Sequence, residues 1–163
     1  MKKTLKIFLV FYLLFLIWLI LFKFSFHPLR FLLLEHTQSL NLIPFAMSGG
    51  RREVYLNVLV FIPFGLLLYP ALEKSSFGRK LLLIILLSLS FETLQYFLEI
   101  GASDITDVIT NSFGGLIGLV SSAILSKILG KRSAQRLLMV FSILMIGLVI
   151  FFSLTMFLRR YPI

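Results

Sequence analysis

The sequence predicts an all-α membrane protein, a compact bundle of about five transmembrane helices, on three observations. First, hydrophobic residues make up 59% of the 163 residues and charged residues only 14%, with a mean hydropathy of +1.01. An ordinary soluble domain is about a quarter charged, so too little polar surface is present here to coat a globule. Second, the apolar excess is gathered into five runs. Each reaches or approaches the roughly 20 residues that a helix needs to cross a hydrocarbon core of about 30 Å. Third, the net charge of +9 is carried mostly by Lys and Arg in the short segments between those runs. That distribution suits membrane topology and lipid headgroups, and it argues against nucleic acid as a partner. The absence of cysteine excludes disulfides, thiolate metal sites and Cys nucleophiles.

The first run extends from Leu5 to Phe22 behind a basic start of Lys2, Lys3 and Lys6. The residues after it, Lys23-Phe24-Ser25-Phe26-His27, lack a small-x-small cleavage site, so the run reads as a retained helix and not a signal peptide. The second run spans Val54 to Leu72, the third Leu81 to Leu98, the fourth Val108 to Leu129 and the fifth Leu137 to Leu158. Between the first two, Lys23 to Glu53 mixes Phe24, Phe26, Leu29 and Phe31 with Arg30, His27 and His36. This suits either an interfacial helix or a loop packed over the bundle. No domain boundary or repeat interrupts the chain, and residues 1–163 read as a single membrane domain.

Orientation follows from basic residues in short loops. With the N-terminus inside, the inner segments hold Lys2, Lys3, Lys6, Lys74, Arg79, Lys80, Lys127, Lys131, Arg132 and Arg136, ten of the sixteen basic residues. The outer loop after the third run holds Glu99, Asp104 and Asp107 and no base. The expectation is a multi-pass protein of the cytoplasmic membrane, N-terminus in and C-terminus out. Arg159 and Arg160 oppose the direction of the last helix.

Polar residues inside apolar runs mark packing or function, because lipid does not solvate them. In the third expected helix Ser88, Glu92, Gln95 and Glu99 recur at steps of four, three and four, on one helical face. A carboxyl at the depth of Glu92 must find a hydrogen-bond donor or hold its proton. It is either a structural carboxyl or a group that handles ligand or proton. In the fourth expected helix Asp104, Asp107, Asn111, Gly114 or Gly115, Gly118 and Ser122 share a face. Gly114-x-x-x-Gly118, extended to Ser122, is a small-xxx-small helix-packing pattern. Asp104 and Asp107 suit N-terminal capping as well as a functional role. In the second run Asn57 is followed by Phe61, Phe64 and Gly65, and Pro63 removes one helical hydrogen bond; a bend there either opens a crevice or fits the bundle. Topology directs Asn57, Glu92, Gln95 and Asn111 to the outer half of the bilayer, with Asp104, Asp107, Arg51 and Arg52 at the outer surface. The expectation is an outward-facing polar site.

The residues that carry this site also form a familiar series: Asn41-Leu42-Ile43-Pro44-Phe45, Asn57-Val58-Leu59-Val60-Phe61-Ile62-Pro63-Phe64-Gly65, Ser90-Phe91-Glu92-Thr93-Leu94-Gln95, and Asp104 through Gly115. In this order and spacing they resemble the VanZ-like family of bacterial membrane proteins over residues 41–120. The family takes its name from a protein associated with resistance to teicoplanin, a lipid-tailed glycopeptide, without remodelling of the peptidoglycan precursor. The resemblance implies Asn57, Glu92, Gln95, Asp104, Asp107 and Asn111 as the functional set. Relatives often carry an Arg just before the first Asp, where this chain has Gly101, Ala102 and Ser103. If that Arg meets an anionic group, either this chain lacks the contact or Arg51 or Arg52 takes its place.

Three functions stay open. The first is a binding or protective protein that holds a lipid-linked or lipoglycopeptide molecule in an outer-leaflet crevice, with membrane lipids as its other partners. The abundance of Phe suits an apolar cleft, and equally suits ordinary packing. The second is an enzyme on a lipid-linked substrate, with Glu92 and Asp104 or Asp107 as acid and base. No nucleophile motif, phosphate-cradling Gly loop or metal-ligand spacing accompanies it. His27 and His36 stand apart, and a carboxylate pair would hold Mg²⁺ only loosely. No cofactor is expected. The third is a proton-coupled transporter or flippase component, which with five helices would need an oligomer.

Overall fold

The computed structural model describes residues 2–22, 39–45, 51–99 and 102–160. Five helices account for most of them: α1 (Lys2–Phe22), α2 (Arg51–Ala71), α3 (Phe77–Phe97), α4 (Ile105–Leu129) and α5 (Lys131–Arg160). Among the described residues four of these are long and apolar enough to cross a membrane, namely Lys3–Leu21, Glu53–Ala71, Phe77–Phe97 and Ile105–Leu129. The fifth apolar run lies within the 30 residues of α5. Two three-residue strands, β1 (Ser39–Asn41) and β2 (Ala102–Asp104), pair in parallel, Asn41 opposite Asp104. Of the Lys23 to Glu53 segment, residues 23–38, which hold both histidines and the aromatic stretch, and residues 46–50 lie outside the described residues.

Helices begin earlier than the apolar runs do. Hydropathy marks where lipid contact starts, whereas a helix starts at its cap. Ser76 accepts a hydrogen bond from the Arg79 amide at 3.3 Å and starts α3 five residues before Leu81. Asp104 accepts from the Thr106 amide at 2.7 Å and starts α4. At the other end α3 stops at Phe97. Glu99, expected on the α3 polar face, instead sits in the turn that follows, at φ 56°.

The core runs between α1, α2, α3 and α4, around Leu5, Leu16, Phe61, Ile84, Phe91 and Leu119. Phe61 packs edge-on to both Phe64 and Phe91. The opposite faces expose Ile7, Val10, Phe11, Leu14, Leu82, Leu86, Ile124 and Val140, an apolar surface of the kind lipid covers. Tyr12 of α1 donates its hydroxyl to the Val60 carbonyl of α2 at 2.7 Å, one turn before Pro63, which lies inside the helix.

Glycines set the closest approach. Gly114 of α4 lies against the backbone of Val58, and Gly118 against Ile62 and Gly65, so α2 and α4 run parallel in contact. Gly115 faces the Ile84 side chain of α3. Gly65 beside Pro63 therefore lets α4 pack against α2 at this level.

Candidate functional site

The parallel α2 and α4 and the antiparallel α3 bring the sequence-marked polar residues to one end of the bundle. At that end α1 and α3 finish while α2 and α4 begin. Glu92, 4% exposed, accepts a hydrogen bond at Oε2 from the Asp104 backbone amide at 2.9 Å. Asp104 is itself tied on both oxygens: Oδ1 accepts from the Thr106 amide at 2.7 Å, and Oδ2 from the Asn41 side-chain amide at 3.2 Å. Asn41 in turn accepts from the Ile43 amide at 3.1 Å, and the Thr106 hydroxyl accepts from the Phe45 amide at 3.0 Å. Phe45 has φ 61°, a costly region for a bulky residue, and this bond is one contact that holds it there. The strand pair, the α4 cap and the α3 carboxylate thus form one hydrogen-bonded unit.

One turn deeper, the Asn111 side chain donates to Ser88 Oγ at 3.0 Å, with both residues buried. Gln95 faces a different neighbour and donates to the Ile20 carbonyl of α1 at 3.1 Å. The Asn57 Nδ2, Gln95 Oε1, Asn111 Oδ1 and Ser122 Oγ atoms are buried without a hydrogen-bond partner among the described residues. Asp107 lies in the first turn of α4. The parallel register places its backbone level with Arg51 at the start of α2; the side chains of Arg51 and Arg52 lie outside the description.

The six polar residues therefore divide. Glu92 and Asp104 line an open cleft of about 180 Å³, together with Leu40, Leu42, Leu89 and Tyr96. Asn111 and Gln95 tie helices together beneath and beside it. Gly114 and Gly118 face α2, and Ser122 is fully buried one turn further along. Sequence reasoning missed Ser103 and Thr93 on the cleft and the Asn41–Asp104 bond. Asn41 and Thr106 fell within the quoted motifs, which is the signal that could have raised them. Ser103 offered none.

Chemically the cleft is mostly apolar, walled by Leu40, Leu42, Leu89, Ile105 and Val108, with the nearly buried Glu92, Ser103 and Asp104 as acceptors at its base. No basic side chain lines it among the described residues. It suits a ligand with hydrogen-bond donors or positive charge, and it opposes a phosphate. Asn111→Ala, which strands the Ser88 hydroxyl at full burial, is expected to cost roughly 1 kcal/mol or somewhat more. The check is a lowered thermal midpoint in detergent, followed by the fluorescence of the single Trp18; an unchanged midpoint would mean that the bond contributes nothing.

Comparison with known proteins agrees with this architecture. No solved structure matches the chain. The family model described as VanZ/LLP1 matches residues 8–126, so the likeness takes in α1 as well as the motif-bearing helices. Protein VanZ of Enterococcus faecium is 42% identical over 139 residues, covering 85% of this chain and 86% of that protein. Helices long enough for a bilayer, the motif residues gathered at one end of them, and a match over most of the length place this chain in the VanZ/LLP1 family.

Proposed function

We propose that the protein guards the cell envelope in the manner of teicoplanin resistance, by holding a lipid-tailed or lipid-linked molecule in the Glu92–Asp104 cleft, and that this cleft opens on the outer face of the cytoplasmic membrane. The observation that carries the reading is the join between the cleft and the lipid-facing surface. Leu82, Leu86, Leu89 and Thr93 follow one another along an exposed face of α3, and the last two line the cleft. An alkyl tail on that face would lie in the bilayer while donor groups of a sugar or headgroup meet the Glu92, Ser103 and Asp104 acceptors. Orientation is supported by charge. The basic segments around Lys74 to Lys80 and Lys127 to Arg136 lie at the opposite end of the bundle, which by the positive-inside rule is cytoplasmic.

The test is the susceptibility of a sensitive Gram-positive host to teicoplanin and to vancomycin, with the protein at verified membrane levels. Selective protection against teicoplanin is expected, because vancomycin lacks the lipid tail that the α3 face would hold. Equal sensitivity to teicoplanin with and without the protein would remove the reading.

A further inference from the structure

A second cleft, of about 100 Å³, lies at the other end of the bundle, where α2 and α4 finish and α3 and α5 begin. It is lined by Tyr69, Glu73, Lys80, Ser126, Lys131 and Gln135. Lys80 is only 4% exposed, an unusual position for a lysine. Its Nζ stands 4.2 Å from the centroid of the Tyr69 ring, a cation–π contact that compensates part of the lost hydration. The cleft's carboxylate, Glu73, is engaged at 2.9 Å by Lys131. Glu73 also raises the Lys131 ammonium above its ordinary range, through a hydrogen bond and charge attraction. Two cations and one anion leave the lining positive. Around it stand the exposed Lys74, Arg79, Lys127, Arg132 and Arg136, and Glu73 is the one acid in residues 72–80 and 126–136.

The volume equals that of about three waters, enough for one tetrahedral oxyanion and too small for an acyl chain. Chains have another place to lie: Phe77, Ile128 and Leu129 expose apolar surface in the same turns. We infer that this cleft binds a phosphate-class oxyanion, the headgroup phosphate of an anionic phospholipid in the adjoining leaflet, with Lys80, Ser126 and Gln135 as its donors. The ammonium of Lys80 makes no ion pair among the described residues, so it has donors to give. The inference is independent of the acceptor-lined cleft at the far end, which has the opposite electrostatic character.

The experiment is native mass spectrometry of the full-length protein in detergent, titrated with phosphatidylglycerol and with phosphatidylcholine. Phosphatidylglycerol should be retained preferentially. Lys80→Met should weaken that retention roughly fivefold, the worth of one lysine near the headgroup, whereas Lys74→Ala, outside the lining, should leave it unchanged. Excess inorganic phosphate separates the sources: displacement of the lipid would show that the site takes the free anion as well, and failure to displace would show that it needs the lipid. Either agrees with an oxyanion site. Should Lys80→Met not fold, acetylation of the wild-type protein in nanodiscs reads the same contact. Phosphatidylglycerol discs should slow modification of Lys80 relative to phosphatidylcholine discs, and should not slow Lys74. Absence of a phosphatidylglycerol preference, or equal effects at Lys74 and Lys80, would overturn the site in favour of diffuse surface attraction.

Discussion

Gly118→Leu is expected to leave no folded bundle to assay. A Cβ at Gly118 would meet the Ile62 carbonyl and stand 2.8 Å from the Leu66 amide nitrogen and 2.9 Å from the Gly65 Cα. All three are backbone atoms of α2, so no rotamer change relieves the clash and the helix axes must separate. The neighbouring contacts fail with it, because a Cβ at Gly114 would stand 2.9 Å from the Val58 Cα on the same seam. Overpacking costs roughly 1–3 kcal/mol where side chains can yield. Here they cannot, and the cost falls at or above the top of that range, against a total stability of about 5–15 kcal/mol. Lipid adds no hydrophobic drive to bring the helices back, since association in a bilayer rests on close packing and hydrogen bonds. Gly78→Ala is the control. Nothing lies within 4 Å of a Cβ there, and alanine favours a helix over glycine by roughly 1 kcal/mol. Size-exclusion profiles and Trp18 melting in detergent should show Gly118→Leu aggregated and without a cooperative transition, and Gly78→Ala at or slightly above the wild-type midpoint. A wild-type melt for Gly118→Leu would mean that α2 and α4 do not touch through their backbones.

That seam shows how far the sequence carries. Small residues at Gly114, Gly118 and Ser122 announce a close packing face, but not which helix it meets; Gly65, on the partner, looked equally like the side of a crevice. The helices themselves were legible because a bilayer demands long apolar runs. The stripe of Ser88, Glu92 and Gln95 was legible because polar groups must turn inward at helical spacing. All three are buried, yet each finds a different partner: Asn111 of α4, the backbone of Asp104, and the backbone of α1. Periodicity specifies a face and says nothing of what stands opposite. The β1–β2 pair was not anticipated. Ser39-Leu40-Asn41 and Ala102-Ser103-Asp104 are too short to show alternation, and their pairing depends on α2 and α3 having first returned the chain to the same end. Asp104, weighed between cap and function, caps α4 with one oxygen while its other accepts from Asn41 beside the cleft.

Glu92 permits the sharpest separation of structure from function. Its carboxylate accepts the Asp104 amide at 2.9 Å and also a side-chain hydrogen bond from Ser103. Glu92→Gln retains an oxygen able to accept the Asp104 bond and replaces the other with a donor, which the Ser103 hydroxyl oxygen can accept. The fold should survive, with a thermal midpoint close to wild type. The acceptor that faces the cleft would become an N–H, and a ligand bringing its own donors would meet a donor in place of a charged acceptor. Glu92→Ala differs in kind, for it strands the Asp104 amide at the point where β2 joins α4. That should cost roughly 1–3 kcal/mol, or about 2–4 °C of midpoint per kcal/mol for a chain of this size. The expected pattern is therefore crossed: teicoplanin protection lost in both variants at equal membrane levels, and stability lost in the alanine variant alone. Protection surviving in Glu92→Gln would make the carboxylate a fastening between α3 and α4 and not a ligand contact. The donor-binding site would then have to be sought at the remaining acceptors of the cleft, Ser103 and the free lone pairs of Asp104, whose own tie to Asn41 could be loosened by Asn41→Ala without touching α3.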